Sequence, residues 1–105
     1  MLLKDSGRAD ATDQAIEKYQ IALKETPNDA VLIHALAFMF DRKGMYRRVI
    51  DLLQPLRRHP NVRTRMLVLQ LLVKAYDRVG EMLDAAESRA ELRELEAEHG
   101  RPVRA

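Results

Sequence analysis

The sequence predicts an all-α chain of antiparallel helical hairpins stacked as an α-solenoid. Three observations support this class. Apolar residues recur at spacings of three and four between the turn signals, which is the period of a helix. Gly and Pro divide the chain into segments of helical length with short joints, so consecutive helices must pack against each other. A short string of residues also returns about one hairpin later along the chain, as it does in repeat proteins.

Five segments between the turn signals have helical periodicity and are predicted as helices: 9–25, 29–43, 45–59, 62–79 and 81–99. A stub at 2–6 precedes them and ends before Gly7, where the first break is expected. Asp29 and Asn61 stand at predicted N-caps, because their side-chain oxygens can accept the free amide hydrogens of the following turn. Pro55 has no amide hydrogen and is expected to kink its helix without ending it.

An internal repeat is the strongest indication of architecture. An aromatic-Asp-Arg-x-Gly string occurs at 40–44 and returns 36 residues later at 76–80, each time where one helix ends and the next begins. Ala15, Val49 and Ala85 form a second series, with spacings of 34 and 36 residues. Self-similarity at this period is typical of a solenoid of helix-turn-helix units.

The segment 15–27 resembles the second helix of the tetratricopeptide repeat, a unit of about 34 residues that pairs two helices and closes with a proline. It has small residues at Ala15 and Ala22, an aromatic residue at Tyr19 and the closing Pro27. The next unit is similar at its apolar, small, aromatic and turn positions: Ile33, Leu36, Ala37, Phe40, Gly44, Tyr46 and Pro60. The third unit is similar at a smaller set: Leu69, Leu72, Tyr76, Gly80 and Ala85.

The resemblance covers nearly the whole chain and implies a right-handed α-α superhelix of about two and a half repeats. A partial first repeat occupies 1–28, a second 29–61 and a third, with its capping helix, 62–99, before a tail at 100–105. The family binds partner proteins or peptides in a concave groove lined by the first helix of each pair. The corresponding candidates are the outward residues of the helices 29–43 and 62–79: His34, Phe38, Asp41, Arg42, Gln70, Lys74 and Arg78.

Three of these candidates admit two interpretations each. Phe38 lies off the apolar stripe of its helix, so it either anchors a partner peptide or packs against a neighbouring helix. Lys74 and Arg78 are one turn apart, and they either hold a partner carboxylate or form a solvated pair beside Asp77.

The first unit keeps only a stub of its first helix. Ile16, Tyr19 and Leu23 are then expected to lack cover, which forfeits roughly 4–8 kcal/mol against a domain stability of about 5–15 kcal/mol. The chain is therefore either a piece of a longer repeat protein or covered by a partner chain, such as a second copy in a homodimer. A self-assembly module and an accessory domain of a larger enzyme or assembly factor are the alternative functions.

Composition limits the chemistry of the chain. It has no cysteine, and its three histidines stand far apart, so we predict no metal site, no cofactor and no nucleophile with its base. The chain is accordingly not expected to be an enzyme. No apolar run is long enough to span a membrane. The compartment stays open, with the cytoplasm slightly favoured.

Charge is segregated along the chain, although the net charge is only +2. Residues 42–65 contain eight basic side chains against Asp51 alone, whereas 81–98 contain seven acidic ones against Arg89 and Arg93. This asymmetry suits an acidic protein partner or a second copy of the chain. Nucleic acid fits least, because few aromatic residues interleave the basic cluster.

Overall fold

The fold consists of helices and turns, without a strand, over the residues that the structure describes, 2–99 for the backbone and 11–99 for the side chains. The structure is a computed structural model. The elements follow in order: α1 Leu2–Glu25, α2 Ala30–Arg42, α3 Tyr46–Leu53, a 3-10 turn Gln54–Leu56, α4 Val62–Val79 and α5 Met82–Glu98. Each helix packs against the next, and α2 also contacts α4. The all-α prediction is confirmed, and the predicted tail at 100–105 lies outside the described residues.

Side-chain caps begin α2 and α4 where the sequence predicts them. The Asp29 carboxylate accepts hydrogen bonds from the backbone N–H groups of Val31 and Leu32, at 2.9 and 3.2 Å. The side-chain oxygen of Asn61 accepts one from the N–H of Thr64, at 3.0 Å. These bonds satisfy amide hydrogens that have no partner within the helix, so both N-cap predictions are confirmed.

The two copies of the repeated string fold into the same turn. Gly44 and Gly80 have φ angles of +75° and +83°, a left-handed conformation that strains any residue with a Cβ. In both turns the residue after the glycine donates its backbone N–H to the carbonyl of the aromatic residue, Phe40 or Tyr76, at an N–O distance of 2.9 Å. This closure is the Schellman motif, which satisfies carbonyls at the end of a helix. The repeat in sequence is therefore also a repeat in local structure.

Helix α1 spans Leu2–Glu25 as a single element, so the predicted stub at 2–6 and the predicted break at Gly7 are wrong. A glycine inside a helix costs only about 1 kcal/mol relative to alanine, and it keeps its backbone donor. This segment contains no proline, which would remove a donor and clash with the preceding turn. The helix therefore continues through the glycine.

Pro55 does more than kink its helix, contrary to the prediction. The α-helical part of α3 ends at Leu53, and a 3-10 turn, Gln54–Leu56, carries the chain onward. Proline cannot donate the next bond of the α-helical ladder, whereas the tighter 3-10 pattern still forms around it. The N–H of Arg57 donates to the Gln54 carbonyl at 3.2 Å. The α-helix is thus shorter than the predicted 45–59.

The main core lies where α2, α3 and α4 meet. Its buried side chains come from these helices and the start of α5: Leu36, Ala37, Phe40, Val49, Ile50, Leu53, Val68, Leu72, Ala75, Tyr76 and Ala85. A second cluster of Met66, Leu69 and Leu95 joins α4 to α5. The buried Tyr76 hydroxyl accepts a hydrogen bond from Gln54 Nε2 at 3.0 Å, so its polar end is satisfied.

Helix α1 uses its apolar residues to cover this core. Ile16, Tyr19 and Leu23 are partly buried and pack against the main cluster, so the expectation that they lack cover is corrected. The reason is geometric: the short joint 26–29 folds α1 back onto α2, and this face of α1 meets the next hairpin. Among the described side chains of α1, Ile21 is a large apolar residue that is exposed, in contrast to Ile16, Tyr19 and Leu23.

Gly80→Ala is expected to destabilise the chain by about 1–2 kcal/mol, the cost of the left-handed conformation for a residue with a Cβ. Within the described chain, no atom lies within 4 Å of an ideal Cβ at this position, so the cost is conformational rather than steric. Gly80→Asn should lose less, because asparagine tolerates this conformation. Free energies of unfolding from urea titrations test this, and equal values for both variants and the parent chain would contradict it.

Candidate functional site

The face shared by α2 and α4 collects most of the predicted groove residues. Lys74 Nζ lies 3.1 Å from Asp41 Oδ2, which ties the two helices together at one end of this face. At the other end, His34 and Leu67 line the same cavity. Both pairs are separated by 33 residues in sequence, so α4 lies beside α2 at an offset of about one repeat.

The cavity has a volume of about 140 Å³ and is lined by Ala30, Val31 and His34 from α2 and by Thr64 and Leu67 from α4. This volume exceeds the roughly 30 Å³ that one water molecule occupies in the liquid, and the walls are largely apolar. Val31 at its rim is 77% exposed. The cavity is thus suited to a single apolar side chain of a partner.

His34 contributes a polar but uncharged group to this cavity. Partial burial lowers its pKa below the usual value near 6.5, because a buried site disfavours the charged imidazolium. The ring is therefore neutral at pH 7, with one nitrogen that donates a hydrogen bond and one that accepts. A partner group beside His34 meets no positive charge at that pH.

Phe38 lies one turn beyond His34 on α2 and is 44% exposed. The side chain is therefore partly covered by the protein and partly open to solvent, and its role as an anchor for a partner stays a prediction. Val31, His34 and Phe38 follow each other at spacings of three and four, so they share one face of the helix. Together they form a strip of apolar and neutral groups along α2.

Lys74 and Arg78 contact separate neighbours and do not form a pair on one face. Lys74 pairs with Asp41, a side chain that is only 9% exposed. Arg78 lies over the ring of Tyr46, 5.5 Å from its centroid, and donates to the Tyr46 hydroxyl at 3.2 Å. Asp77 pairs with Arg89 at 2.9 Å instead of with Lys74 or Arg78.

Two further candidates flank these groups. Arg42 is exposed at the end of α2 and has no ion pair among the described residues. Gln70 lies half-buried on α4, one turn before Lys74. The predicted set therefore falls on one face but divides into an apolar end at His34 and a charged end at Asp41.

Sequence reasoning missed four residues that line the cavity: Ala30, Val31, Thr64 and Leu67. A signal for Leu67 existed, because it lies at the same offset from His34 as Lys74 does from Asp41. Val31 also carried a signal, as an apolar residue in the first turn of α2, two positions after the N-cap Asp29, that lies off the main stripe. Nothing in the sequence pointed to Thr64.

The segregated charges meet within the molecule. Arg47 Nη2 lies 2.8 Å from Glu81, and Arg57 Nη2 lies 2.9 Å from Glu91. Both pairs join residues 34 positions apart and link the basic region around α3 to the acidic α5. Part of the charge asymmetry is therefore used between helices of the same chain, which reduces the basic surface open to a partner.

No family model, curated protein or solved structure matches the chain. The likeness to the tetratricopeptide repeat therefore rests on the residues of the chain alone. Within residues 2–99, no helix has the length and apolarity needed to cross a bilayer. In the same range, no three side chains of the metal-binding types converge.

Lys74→Met is expected to destabilise the chain by about 1–2 kcal/mol, because it leaves the buried Asp41 carboxylate without its cation. The other oxygen, Asp41 Oδ1, is buried and already lacks a hydrogen-bond partner in the described structure. Adding Asp41→Asn should recover part of the loss, which a double-mutant cycle in urea measures. The control is Arg89→Met, which breaks an exposed pair and should cost under about 1 kcal/mol. Equal losses for the two single variants would contradict a special role for the buried carboxylate.

Stability is expected to fall as the pH drops below about 6.5, because the unfolded chain then binds a proton at His34 more readily than the folded chain does. The pKa of His34 is lower in the folded state, so its effect disappears at higher pH. His34→Gln should flatten this part of the profile, because glutamine does not bind a proton in this pH range. Urea titrations from about pH 7.5 to about pH 5.5 measure the difference, and parallel profiles would contradict the assignment.

Proposed function

We propose that this chain is a non-catalytic protein-interaction module of the tetratricopeptide-repeat type, and that it binds a segment of a partner protein on the α2–α4 face. The repeated Schellman turns at Gly44 and Gly80 support the repeat assignment. So does the constant offset of about one repeat between α2 and α4. In this proposal the hairpins continue the right-handed α-α superhelix of the family.

The observation that carries the binding proposal is the apolar cavity between α2 and α4, with Val31 and Phe38 exposed beside it. Exposed apolar side chains next to a preformed cavity on rigid helices are typical of sites where a partner buries an anchor residue. The Asp41–Lys74 ion pair holds the two helices together at the other end of the face. A partner therefore meets a surface that is largely preformed, which limits the entropy lost on binding.

The chemistry of the face also describes the partner segment. The cavity favours an uncharged apolar side chain, because its walls are apolar and His34 is neutral. Further along, Asp41 and Lys74 already compensate each other, so this end does not require a charged group. An apolar anchor followed by polar residues fits this face better than an acidic segment does.

The dimer alternative has less support than the groove. It relied on Ile16, Tyr19 and Leu23 as an open apolar face, and these three residues pack against the core of their own chain. Among the side chains described for α1, Ile21 remains exposed, and an isolated exposed apolar residue is ordinary for a protein surface.

Selection from a phage-displayed library of random peptides on the purified chain tests the proposal. Enriched peptides are expected to share an apolar anchor, and Phe38→Ser should weaken their binding by about tenfold in fluorescence anisotropy. Ile21→Ser is the matched control, since it removes an exposed apolar residue from α1 and should leave the dissociation constant unchanged. No enrichment, or equal losses in the two variants, would overturn the proposal.

A further inference from the structure

We infer that the end of the molecule where α2 turns into α3 and α4 turns into α5 is a second docking surface, for a protein segment that combines apolar with acidic side chains. We call this end the turn edge; it consists of the joints 43–45 and 80–81 with the adjoining helix ends. The inference does not depend on the α2–α4 face. It rests on a depression, on exposed apolar side chains and on unpaired arginines at the same end.

The turn edge contains a depression of about 390 Å³. Its lining comes from the first turn, the start of α3 and the end of α4: Gly44, Met45, Tyr46, Arg47, Arg48 and Val79. An ion pair of 2.8 Å between Arg47 and Glu81 links the second turn to α3 beside it. The second turn therefore lies next to the depression, through the contact of Glu81 with Arg47 at its wall.

Apolar side chains are concentrated at this edge. Met82 and Leu83, which follow Glu81 directly, are 60% and 75% exposed, and Met45 is exposed in the first turn. They are three of the six large apolar residues that are exposed in the described part of the chain. Val31 and Phe38 belong to the α2–α4 face, so no other end of the described molecule gathers three. Such a cluster is typical of an interaction surface rather than of scattered surface residues.

The unpaired charge at the turn edge is mostly positive. Asp84, in the first turn of α5, has no ion pair among the described residues, whereas three other nearby carboxylates each have an intramolecular cation: Asp13 with Lys43, Asp77 with Arg89, and Glu81 with Arg47. Three arginines at this edge have no carboxylate partner among the described residues: Arg42, Arg48 and Arg78. A ligand with carboxylates complements this arrangement, because the three arginines outnumber the unpaired Asp84 at this edge.

Two of these arginines are held in place by aromatic rings. The guanidinium of Arg48 lies 5.3 Å from the centre of the Phe40 ring, and that of Arg78 lies 5.5 Å from the centre of the Tyr46 ring. Tyr46 itself lines the depression. A guanidinium that already stacks on a ring loses less freedom when it binds a carboxylate, and its planar group can form two parallel bonds.

The concave shape favours a protein segment over a lipid surface. Met45, Arg47 and Arg48 line the depression, so a partner side chain that enters it is buried between an apolar group and guanidinium groups, which a flat lipid surface cannot achieve. Apolar side chains of a peptide can enter the depression while its carboxylates reach the arginines at the rim. The occupant is therefore a segment with Leu, Met or Phe side chains beside Asp or Glu.

In the experiment, peptides are first selected from a random library on the full chain. Each peptide is then assigned to a surface according to which variant of the chain binds it more weakly. Peptides for the turn edge are expected to be acidic and apolar, to bind less tightly at high salt, and to weaken about fivefold in Met82→Ser and in Arg78→Gln. Ile21→Ser and Arg63→Gln are matched controls, because they remove an exposed apolar and an exposed basic residue away from both surfaces. By contrast, weaker binding of the peptides for the α2–α4 face by the Phe38→Ser variant tests the proposed function and not the turn edge.

Methyl NMR with labelled methionine locates the binding of each peptide. The signals of Met45 and Met82 should shift, whereas that of Met66, which is 2% exposed in the second cluster, should not. The inference is overturned if no acidic, apolar peptide is enriched, or if the Met82→Ser variant binds such peptides as the parent chain does. It is also overturned if the edge instead binds phosphatidylserine vesicles, or if sedimentation shows a dimer that Met82→Ser abolishes.

Discussion

Polar bonds between successive hairpins join residues 32 to 34 positions apart: Asp41 to Lys74, Tyr46 to Arg78, Arg47 to Glu81 and Arg57 to Glu91. The same offset thus applies to the first helices and to the second helices of the units. Such constancy requires that each hairpin turn back at the same angle, which the left-handed glycines at 44 and 80 permit. The core, the cavity on the α2–α4 face and the turn edge all depend on this stacking of one hairpin on the next.

The offset also explains the charge pattern of the sequence. A basic stretch followed one repeat later by an acidic stretch becomes, after stacking, a set of cross-helix ion pairs such as Arg57 with Glu91. Surface pairs of this kind contribute little stability individually, but they favour the correct register over a shifted one, which would bring like charges together. Part of the asymmetry is therefore explained by the fold, whereas the arginines without a carboxylate partner at the turn edge are not.

Local signals in the sequence were sufficient for most of the fold. The caps at Asp29 and Asn61 and the glycine turns depend on a few neighbouring residues, so their chemistry is visible without the structure. The predictions at Gly7 and Pro55 were wrong because the effect of such a residue depends on the backbone hydrogen bonds that its neighbours can still form. The helix continues through Gly7, whereas at Pro55 it changes to a 3-10 turn. The site was harder to predict, since the partner of each charged side chain lies on another hairpin. The sequence placed Lys74 beside Arg78 and Asp77, whereas the structure pairs it with Asp41.

The two surfaces differ in the physical forces that act on them. The α2–α4 face offers an apolar cavity beside a neutral histidine and a compensated ion pair, so affinity there depends on the burial of apolar area and changes little with salt. The turn edge offers uncompensated arginines, so association there is accelerated by opposite charge and weakened by salt. Because α2 runs from the cavity to the first turn, it belongs to both surfaces. A partner that engages both ends of α2 would therefore combine a fast, charge-steered encounter at Arg42 with a slower-dissociating apolar anchor near Val31.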